Sequence, residues 1–254
     1  MTTDRSTDKS TVSVVLPLLE CEDTVLNLVE EVHQRITVKI PGAEIVAVDA
    51  GSRDHTWGIL RELTTAYDEL KIYRSKDPMP VGGASLRGFL EATGKFVFHL
   101  EPHCPWRVDL FWDMARLRAN AGRGAVFAVR GPSLRGMKEK VSDRLFRDEA
   151  LDGLTVDIPD TGFPAQLFSK ADFDKIQILM PPDLLAPGLT LFLLFRSFNR
   201  EVHLMKPDGL HELKRSRREP PPCFTSLAAF RDSIHQIKEV RRNLERIQGL
   251  LDLR

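Results

Sequence analysis

The first half of the chain alternates short apolar runs with amphipathic stretches, and this alternation limits the possible folds more than any other feature of the sequence. Residues 12–17 form an apolar run that ends in a proline, which is typical of a buried parallel strand. In the stretch that follows, Val25, Val29 and Val32 recur at helical spacing. Strands that alternate with helices in this way predict βαβ units and a mostly parallel sheet.

The same patterns predict the other elements along the chain. Further strands are predicted at 43–48, 71–74, 96–100, 125–129, 163–168 and, at an edge of the sheet, 202–205. Further helices are predicted at 56–67, 84–92, 108–119, 138–151, from 170 onward, 190–198 and 226–251. We therefore expect an α/β protein with a mostly parallel central sheet flanked by helices, plus a C-terminal helix.

Length and composition fit this architecture. The chain has 254 residues, of which 42% are hydrophobic, and this suits one α/β domain of about 200–250 residues with a small appendage. We predict a flexible polar leader over residues 1–11, the α/β domain over 12–222, and an amphipathic C-terminal helix over 223–254.

Charge and cysteine content exclude several classes of protein. The 36 basic and 36 acidic side chains balance, so nothing attracts the whole chain to nucleic acid or to anionic lipid. The three widely spaced cysteines argue against a disulfide framework and favour a reducing compartment. Neither a signal-peptide apolar region nor an apolar run long enough for a transmembrane helix is present in the sequence. We expect a soluble, cytoplasmic protein.

Polar side chains follow three predicted strands, at the edge where parallel sheets bind ligands. Glu20 follows the first strand, Asp49 follows the second, and Glu101 and His103 follow the fourth. A carboxylate placed there can accept hydrogen bonds from a nucleobase imide or a ribose, and the helix N-terminus after Ser52 favours anions. Two ligands one residue apart can hold a divalent cation against a diphosphate. These groups meet the physical needs of a nucleotide-diphosphate sugar.

Several segments between residues 12 and 220 match, in order and spacing, the motifs of one enzyme family. They are Ser-Val-Val-Leu-Pro at 13–17, Val-Asp-Ala-Gly-Ser-Arg-Asp-His-Thr at 48–56, the glycine-rich stretch 80–88 with Glu-Ala-Thr-Gly-Lys at 91–95, Phe-His-Leu-Glu-Pro-His at 98–103, Asp-Thr-Gly-Phe at 160–163 with Leu-Phe-Ser-Lys at 167–170, and the late strand and basic loop at 201–204 and 211–218. The chain resembles family 2 glycosyltransferases of the GT-A fold, and within them the polyprenyl-phosphate glycosyltransferases such as dolichyl-phosphate mannose synthase.

The resemblance implies a role for each matching residue. It implies nucleotide binding by Pro17, Glu20, Asp49, Gly51, Ser52 and Gly82, metal or diphosphate binding by Glu101 and His103, catalysis by Asp160 as a base or acceptor contact, and phosphate or acceptor binding by His211, Lys214, Arg215 and Arg218. It also implies a divalent cation, Mn²⁺ or Mg²⁺, as cofactor. The implied reaction moves a sugar, with inversion, from a nucleotide-diphosphate donor to a polyprenyl phosphate or a glycan.

Three motifs depart from the family pattern. The family's Asn-Glu after the first strand is Glu20-Cys21 here, its Asp-Asp pair is Asp49-Ala50, and its Asp-x-Asp motif is Glu101-Pro102-His103. Glutamate and histidine both bind Mn²⁺, and imidazole favours softer metals over Mg²⁺. The departures motivate a second hypothesis, a catalytically impaired domain that binds a nucleotide sugar or regulates an active relative. A dinucleotide-dependent oxidoreductase is disfavoured, because no Gly-x-Gly-x-x-Gly follows the first strand.

Each candidate residue also has a structural alternative. Asp49 could simply cap the next helix, Glu101 and His103 could belong to an ordinary polar turn, and the basic loop could be a solvated charge run. The basic residues of the C-terminal helix are compatible with peripheral membrane contact, with packing on the domain, or with a homodimer through this helix.

Overall fold

The computed structural model describes residues 12–104, 107–130, 144, 162–198, 200–207 and 227–251. Its strands are β1 (Val12–Leu18), β2 (Glu44–Asp49), β3 (Leu70–Arg74), β4 (Phe96–Leu100), β5 (Ala125–Ala128), β6 (Ala165–Ser169) and β7 (Val202–Met205). Its α-helices are α1 (Val25–Arg35), α2 (Thr56–Leu63), α3 (Val81–Glu91), α4 (Leu110–Ala121), α5 (Lys170–Ile176), α6 (Pro187–Ser197) and α7 (Leu227–Leu251). The predicted leader 1–11 and the predicted helix 138–151 lie outside the described residues.

The strands form one sheet in the order β3-β2-β1-β4-β6-β5-β7. The first four strands are parallel to one another, β6 is antiparallel to both β4 and β5, and β7 is parallel to β5. The predicted fold class, a mostly parallel α/β sheet flanked by helices, is therefore confirmed. The prediction that the strand at 202–205 lies at an edge is also confirmed.

The strand order creates the position where a ligand is expected. From β1 the chain continues to β2 and β3 on one side, and then crosses back to place β4 on the other side of β1. In open parallel sheets, ligands bind beyond the carboxyl ends of the strands at such a reversal. The loops after β1, β2 and β4 are therefore the first place to look for a site.

The buried side chains form two cores, one on each face of the sheet. Side chains that alternate along a strand point to opposite faces. Accordingly, Val15 packs with the helices α3, α5, α6 and α7, whereas Val14 and Leu16 pack with α1, α2 and α4. Gly88 lets α3 approach β1 closely, because a Cβ at this position would lie 2.3 Å from Val15 Cγ1.

Four helices, α2, α3, α4 and α6, have a boundary two or more residues from the prediction, and at two of them the cause is clear. The helix predicted to start at 84 starts at Val81, because Pro80 adopts an extended conformation that begins the helix and accepts the Gly83 amide hydrogen bond at 2.9 Å. The helix predicted to end at 67 ends at Leu63, because tighter turn hydrogen bonds follow, such as that from the Ala66 amide to the Leu63 carbonyl at 3.0 Å.

The C-terminal helix packs on its own domain. Ile237, Val240 and Leu244, the middle of the predicted apolar stripe, are buried in the core that contains α6. The Gln236 side chain accepts a hydrogen bond from the Leu185 amide at 3.1 Å and donates one to the Asp183 carbonyl at 2.9 Å. The predicted homodimer through this helix stays a prediction. Within the described part of the chain, every helix is too short or too polar to span a bilayer.

Candidate functional site

The loops that follow β1 and β2 are joined by reciprocal hydrogen bonds. The Glu20 amide donates to Ser52 Oγ at 2.9 Å, and the Arg53 amide donates back to Glu20 Oε1 at 2.8 Å. The Cys21 amide donates to Thr56 Oγ1 at 2.8 Å. Glu20 has a positive φ of 51°, a backbone conformation that is uncommon outside glycine. Together these contacts hold the two loops as one rigid rim at the carboxyl end of the sheet.

Asp49 is buried beneath this rim. Its Oδ1 accepts a hydrogen bond from the Ser52 amide at 2.9 Å. Its Oδ2 lies 3.1 Å from Arg74 Nε in an ion pair without an aligned hydrogen bond, so within the described part of the chain Oδ2 is a buried acceptor with no hydrogen-bond donor. Arg74 also donates to the Ser52 carbonyl at 2.9 Å and lies over the Trp57 ring at 5.5 Å. Buried acceptors without a donor are uncommon, which makes Oδ2 a candidate ligand contact.

Gly51 fits its position because of its backbone. Its φ is +94°, which favours glycine, and a Cβ here would lie 3.0 Å from Pro78 Cα. The neighbouring Ala50 carbonyl accepts the Met79 amide hydrogen bond at 3.0 Å. The loop before α3 is therefore packed against the loop after β2, next to Asp49.

Gly82 and Pro17 both occupy packed positions. Gly82 lies in the first turn of α3, and a Cβ on it would lie 2.2 Å from the Leu184 carbonyl oxygen. Pro17 is buried in β1, where it pairs with Val48. Both residues shape the edge of the sheet through their backbone, and their predicted contact with a nucleotide stays a prediction.

Glu101 and His103 lie in a tight turn directly after β4. The Cys104 amide donates to the Glu101 carbonyl at 2.9 Å, and the Glu101 amide donates to the Pro164 carbonyl at 3.0 Å. Glu101 is half-buried and His103 is exposed. Although His103 is exposed as a residue, neighbouring atoms partly desolvate its ring, and this lowers the pKa of the imidazole. The ring is therefore neutral near pH 7 and can act as a metal ligand.

The strand register brings the two halves of the predicted site to one edge. Leu18 pairs with Asp49, and Val15 pairs with His99, so the end of β4 lies on the far side of β1 from Asp49. Two strand spacings separate Asp49 from Glu101 across the sheet, about 10 Å. This separation would allow a nucleoside bound at Asp49 to place its diphosphate near Glu101.

The donor set suits a cation shared with a ligand. Among the described residues, no three histidine, cysteine, aspartate or glutamate side chains gather into a metal-binding group. A cation held by one or two side chains plus substrate phosphates does not need such a group. Glu101 and His103 fit this arrangement, and their oxygen and nitrogen donors favour Mn²⁺ over Mg²⁺.

Five predicted site residues lie in segments that the structure does not describe. Asp160, His211, Lys214, Arg215 and Arg218 lie outside the described residues. Two cavities lined by described residues lie elsewhere. One of ≈ 110 Å³ lies beside Gly124 and Arg200, and one of ≈ 610 Å³ lies between α7 and the segment 178–185; neither is lined by Asp49 or Glu101.

The structure adds polar residues that the sequence analysis missed. Arg74, which covers Asp49, is the last residue of the edge strand β3. In the sequence it cannot be distinguished from an ordinary surface arginine. His99 and Gln166 are both fully buried, each inside an otherwise apolar strand. Polar residues in such runs are the signal that could have identified them. Burial lowers the pKa of His99 to about 4, against a smaller opposing effect of its hydrogen bond with Gln166, so the ring is neutral.

Comparisons with known proteins agree with this geometry. The family model described as Glycosyl transferase family 2 matches residues 13–177. No curated protein sequence matches the chain. Among solved structures, glucosyl-3-phosphoglycerate synthase from Mycobacterium tuberculosis in complex with phosphoglyceric acid is similar, with a TM-score of 0.66, 16% identity, and coverage of 91% of this chain and 80% of that one.

Two further structures have similar folds. Mannosyltransferase PcManGT from Pyrobaculum calidifontis, in complex with GDP-Man and Mn²⁺, gives a TM-score of 0.60 at 15% identity and covers 92% of this chain and 70% of that one. S. aureus TarS 1–349, in complex with UDP-GlcNAc, gives 0.59 at 16% identity and covers 84% of this chain. The chain spans 60% of TarS 1–349 and 35% of a longer TarS chain. At these identities the three neighbours show the fold alone.

Proposed function

Because this chain belongs to glycosyl transferase family 2, we propose that it transfers a sugar from a nucleotide-diphosphate donor to an acceptor, with inversion at the anomeric carbon. The observation that carries the proposal is the strand register, which aligns Asp49 and Glu101 along one edge with β1 between them. The neighbours crystallised with UDP-GlcNAc and with GDP-Man and Mn²⁺ support a donor of this class.

The nucleoside would bind at the rim formed by the loops after β1 and β2. Asp49 Oδ2, a buried acceptor that receives no hydrogen bond from the described residues, suits the N–H of a base imide. Because Arg74 lies beside Oδ2, the base would displace the Arg74 side chain, which is 43% exposed and would give up its hydrogen bond to the Ser52 carbonyl. Pro17, Glu20, Gly51, Ser52 and Gly82 would complete the nucleotide site.

The diphosphate would lie beyond β4. Glu101 and His103 would hold a divalent cation there, and the cation would supply positive charge to the departing nucleoside diphosphate. Backbone hydrogen bonds at Glu101 fix the turn at 101–104 and would hold both side chains in place for this role. This assignment needs no third protein ligand.

The transfer itself is a single displacement. An acceptor oxygen forms a bond to the anomeric carbon while the bond from that carbon to the diphosphate oxygen breaks, and the diphosphate leaves with the electron pair. Asp160 would take the proton of a hydroxyl acceptor, whereas a polyprenyl phosphate needs no base. His211, Lys214, Arg215 and Arg218 would bind the phosphates. A polyprenyl phosphate or a glycan in the cytoplasm, the former at the inner face of a membrane, is the proposed acceptor.

A second candidate function is binding without turnover. It is motivated by Glu101-Pro102-His103 in place of Asp-x-Asp and by the burial of Asp49 beneath Arg74. Glutamate is a methylene longer than aspartate, and proline stiffens the turn, so a cation bound here could be misplaced for transfer. Such a domain would sense a nucleotide sugar or regulate an active relative.

Calorimetry with UDP-GlcNAc and GDP-mannose, each with and without Mn²⁺, tests these proposals together with an assay of sugar release. We expect binding that strengthens with Mn²⁺, and a loss of about tenfold or more in that Mn²⁺-dependent affinity in Glu101→Ala and in His103→Ala. Glu62→Ala, an exposed substitution on α2, serves as the control. Binding without sugar release supports the second function, and the lack of any binding to either donor rejects both.

A further inference from the structure

Three buried side chains form a series of hydrogen bonds from helix α3, through the strand β4 that precedes Glu101, to the segment before β6. His99, the cross-strand partner of Gln166, lies two residues before Glu101 in β4. His99 Nε2 lies 3.0 Å from Ser85 Oγ, and its Nδ1 lies 2.6 Å from Gln166 Oε1. Gln166 Nε2 in turn donates a hydrogen bond to the Phe163 carbonyl. Ser85, His99 and Gln166 are all fully buried.

The hydrogen-bond partners fix the direction of this chain. A neutral imidazole has one donor and one acceptor nitrogen. Because Gln166 Oε1 can only accept, Nδ1 carries the proton of His99, and Nε2 accepts the proton of the Ser85 hydroxyl. Donation therefore runs from Ser85 to His99, from His99 to Gln166, and from the Gln166 amide to the Phe163 carbonyl. His99 supports this orientation of the Gln166 amide, because its Nδ1 proton binds the amide oxygen and leaves the NH₂ group facing Phe163.

The residue at the end of the chain has an unusual backbone. Phe163 has a φ of 44°, a left-handed conformation that is an outlier for a bulky side chain. Strained residues persist where their surroundings hold them, and they concentrate at functional sites. Here the Phe163 ring stacks on Phe192 with centroids 5.3 Å apart, and a Cβ at Gly188 would lie 2.8 Å from Phe163 Cβ. The Gln166 hydrogen bond holds the backbone of the same turn.

The segment that contains Phe163 is hydrogen-bonded to the first residue of the Glu101-Pro102-His103 motif. The Glu101 amide donates to the Pro164 carbonyl at 3.0 Å, one residue after Phe163. We infer that Gln166, oriented by His99, is a positioning residue that sets the segment 162–164, which follows the proposed acceptor contact Asp160 in the sequence, against Glu101, so that the acceptor meets the sugar donor in line. This inference rests on the proposed function, which assigns Glu101 to the sugar donor and Asp160 to the acceptor. The geometry that it requires can nevertheless be measured without any substrate.

Two variants separate positioning from simple stability. Gln166→Leu removes the bond to Phe163 and leaves the His99 Nδ1 proton without a partner, so we expect a lower melting temperature. The double variant His99→Leu, Gln166→Leu replaces both partners by apolar groups, and Ser85 can then donate to the Val81 carbonyl, which lies 3.1 Å away. The His99 proton that lacked a partner in the single variant is then absent, and the Phe163 carbonyl is the group that loses its donor, so the double variant should recover part of the lost melting temperature.

The positioning readouts should not recover with it. In both variants we expect deuterium exchange in peptides covering 162–166 to rise about tenfold, because the turn has lost the bond that closes it. Where the wild type releases sugar from UDP-GlcNAc or GDP-mannose with Mn²⁺, we expect kcat to fall about tenfold in both variants with the donor KM unchanged.

Exchange or kcat that returns to the wild-type value in the double variant, together with the melting temperature, overturns the inference. A wild type that binds no donor rejects the proposed function but leaves the exchange experiment intact, since that experiment uses the unliganded protein. The two failures are thus distinguishable.

Discussion

The two ends of the parallel sheet use their buried charges in opposite ways. At the amino end, Glu44 in β2 accepts hydrogen bonds from the Ser13 hydroxyl at 2.5 Å and from the Thr93 amide at 2.7 Å, and Lys71 reaches its other oxygen at 2.5 Å. The Gly94 amide completes the cluster by donating to Ser13 Oγ at 2.8 Å. All four parallel strands β1–β4 contribute to this cluster. The first three supply Ser13, Glu44 and Lys71, and the residues just before β4 supply the amides of Thr93 and Gly94.

At the carboxyl end, the equivalent acid is only partly satisfied. Asp49, also in β2, keeps one oxygen that receives no hydrogen bond from the described residues, and its ion-pair partner Arg74 is 43% exposed. Phe163 and Glu20, at the same end of the sheet, adopt positive φ angles. Unused hydrogen-bonding capacity and backbone strain are typical of functional sites, so the difference fits our proposal that the carboxyl end binds the ligand while the amino end contributes stability.

The largest effect is expected from removing the acid at the amino end. Glu44→Ala leaves the Thr93 amide and the Ser13 hydroxyl without their acceptor, so we expect a loss of about 2–4 kcal/mol in the free energy of unfolding. Urea denaturation measures this loss, with the exposed substitution Glu62→Ala as the control. Donor affinity in the folded protein should stay unchanged. A loss no larger than that of Glu62→Ala contradicts the assignment of this end to stability.

A smaller loss is expected at Gly82, where a Cβ would lie 2.2 Å from a backbone carbonyl that cannot move away cheaply. Gly82→Ala should lower the free energy of unfolding by about 1–3 kcal/mol. Gly58→Ala is the matched control in α2, because among the described residues no atom outside its own helix and chain neighbours lies within 4 Å of its Cβ position, and it should raise stability by about 0.5–1 kcal/mol. If Gly82→Ala also weakens donor binding in the folded protein, Gly82 belongs to the nucleotide site as well.

Asp49→Asn tests the acceptor role of Asp49 in the folded protein. The new Oδ1 can still accept from the Ser52 amide, but the amide nitrogen takes the place of Oδ2 beside Arg74 as a buried donor, so we expect a loss of about 1–2 kcal/mol in the free energy of unfolding. Affinity for the preferred nucleotide sugar should fall about tenfold in calorimetry, because the charged acceptor for the base is lost. Asp68→Asn, at an exposed position, provides the comparison. An unchanged affinity would leave Asp49 with a structural role alone, as the acceptor of the Ser52 amide in a loop that ends before helix α2 begins at Thr56.

The architecture was predictable because its signals are local. The apolar runs of β1, β2 and β4 and the helical spacing of Val25, Val29 and Val32 are each contained within one element, and buried elements must show such patterns. The family motifs helped for the same reason, since they cluster at strand ends. The position of β6 was not predicted, because an antiparallel strand between β4 and β5 depends on pairing between distant segments.

The polar clusters were not predictable because their members are distant in sequence. The partners of Glu44 come from β1, β3 and the loop before β4, and each looks like an ordinary strand-end polar residue. The pair of His99 and Gln166 has the same character. At the candidate site, the residue types identified Asp49 and Glu101, but only the structure shows that Arg74 lies over Asp49.

The smallest effect concerns acid. Burial alone would raise the pKa of Glu44, but the hydrogen bonds from Lys71, Ser13 and Thr93 outweigh it and hold that pKa below its usual value. The unfolded chain therefore takes up the proton first, so the contribution of Glu44 to stability is complete above the ordinary glutamate pKa and is lost as the pH falls below it. Urea denaturation at about pH 6 and about pH 3 should show that Glu44→Gln loses less stability on acidification than the wild type, by on the order of 1 kcal/mol.

Equal losses in the two proteins would mean that acid sensitivity resides in other carboxylates, such as Glu69. Burial alone would raise the pKa of Glu69, but hydrogen bonds from His33 and Thr37 lower it below its usual value. In that case the amino end would not be the acid-sensitive end of the sheet.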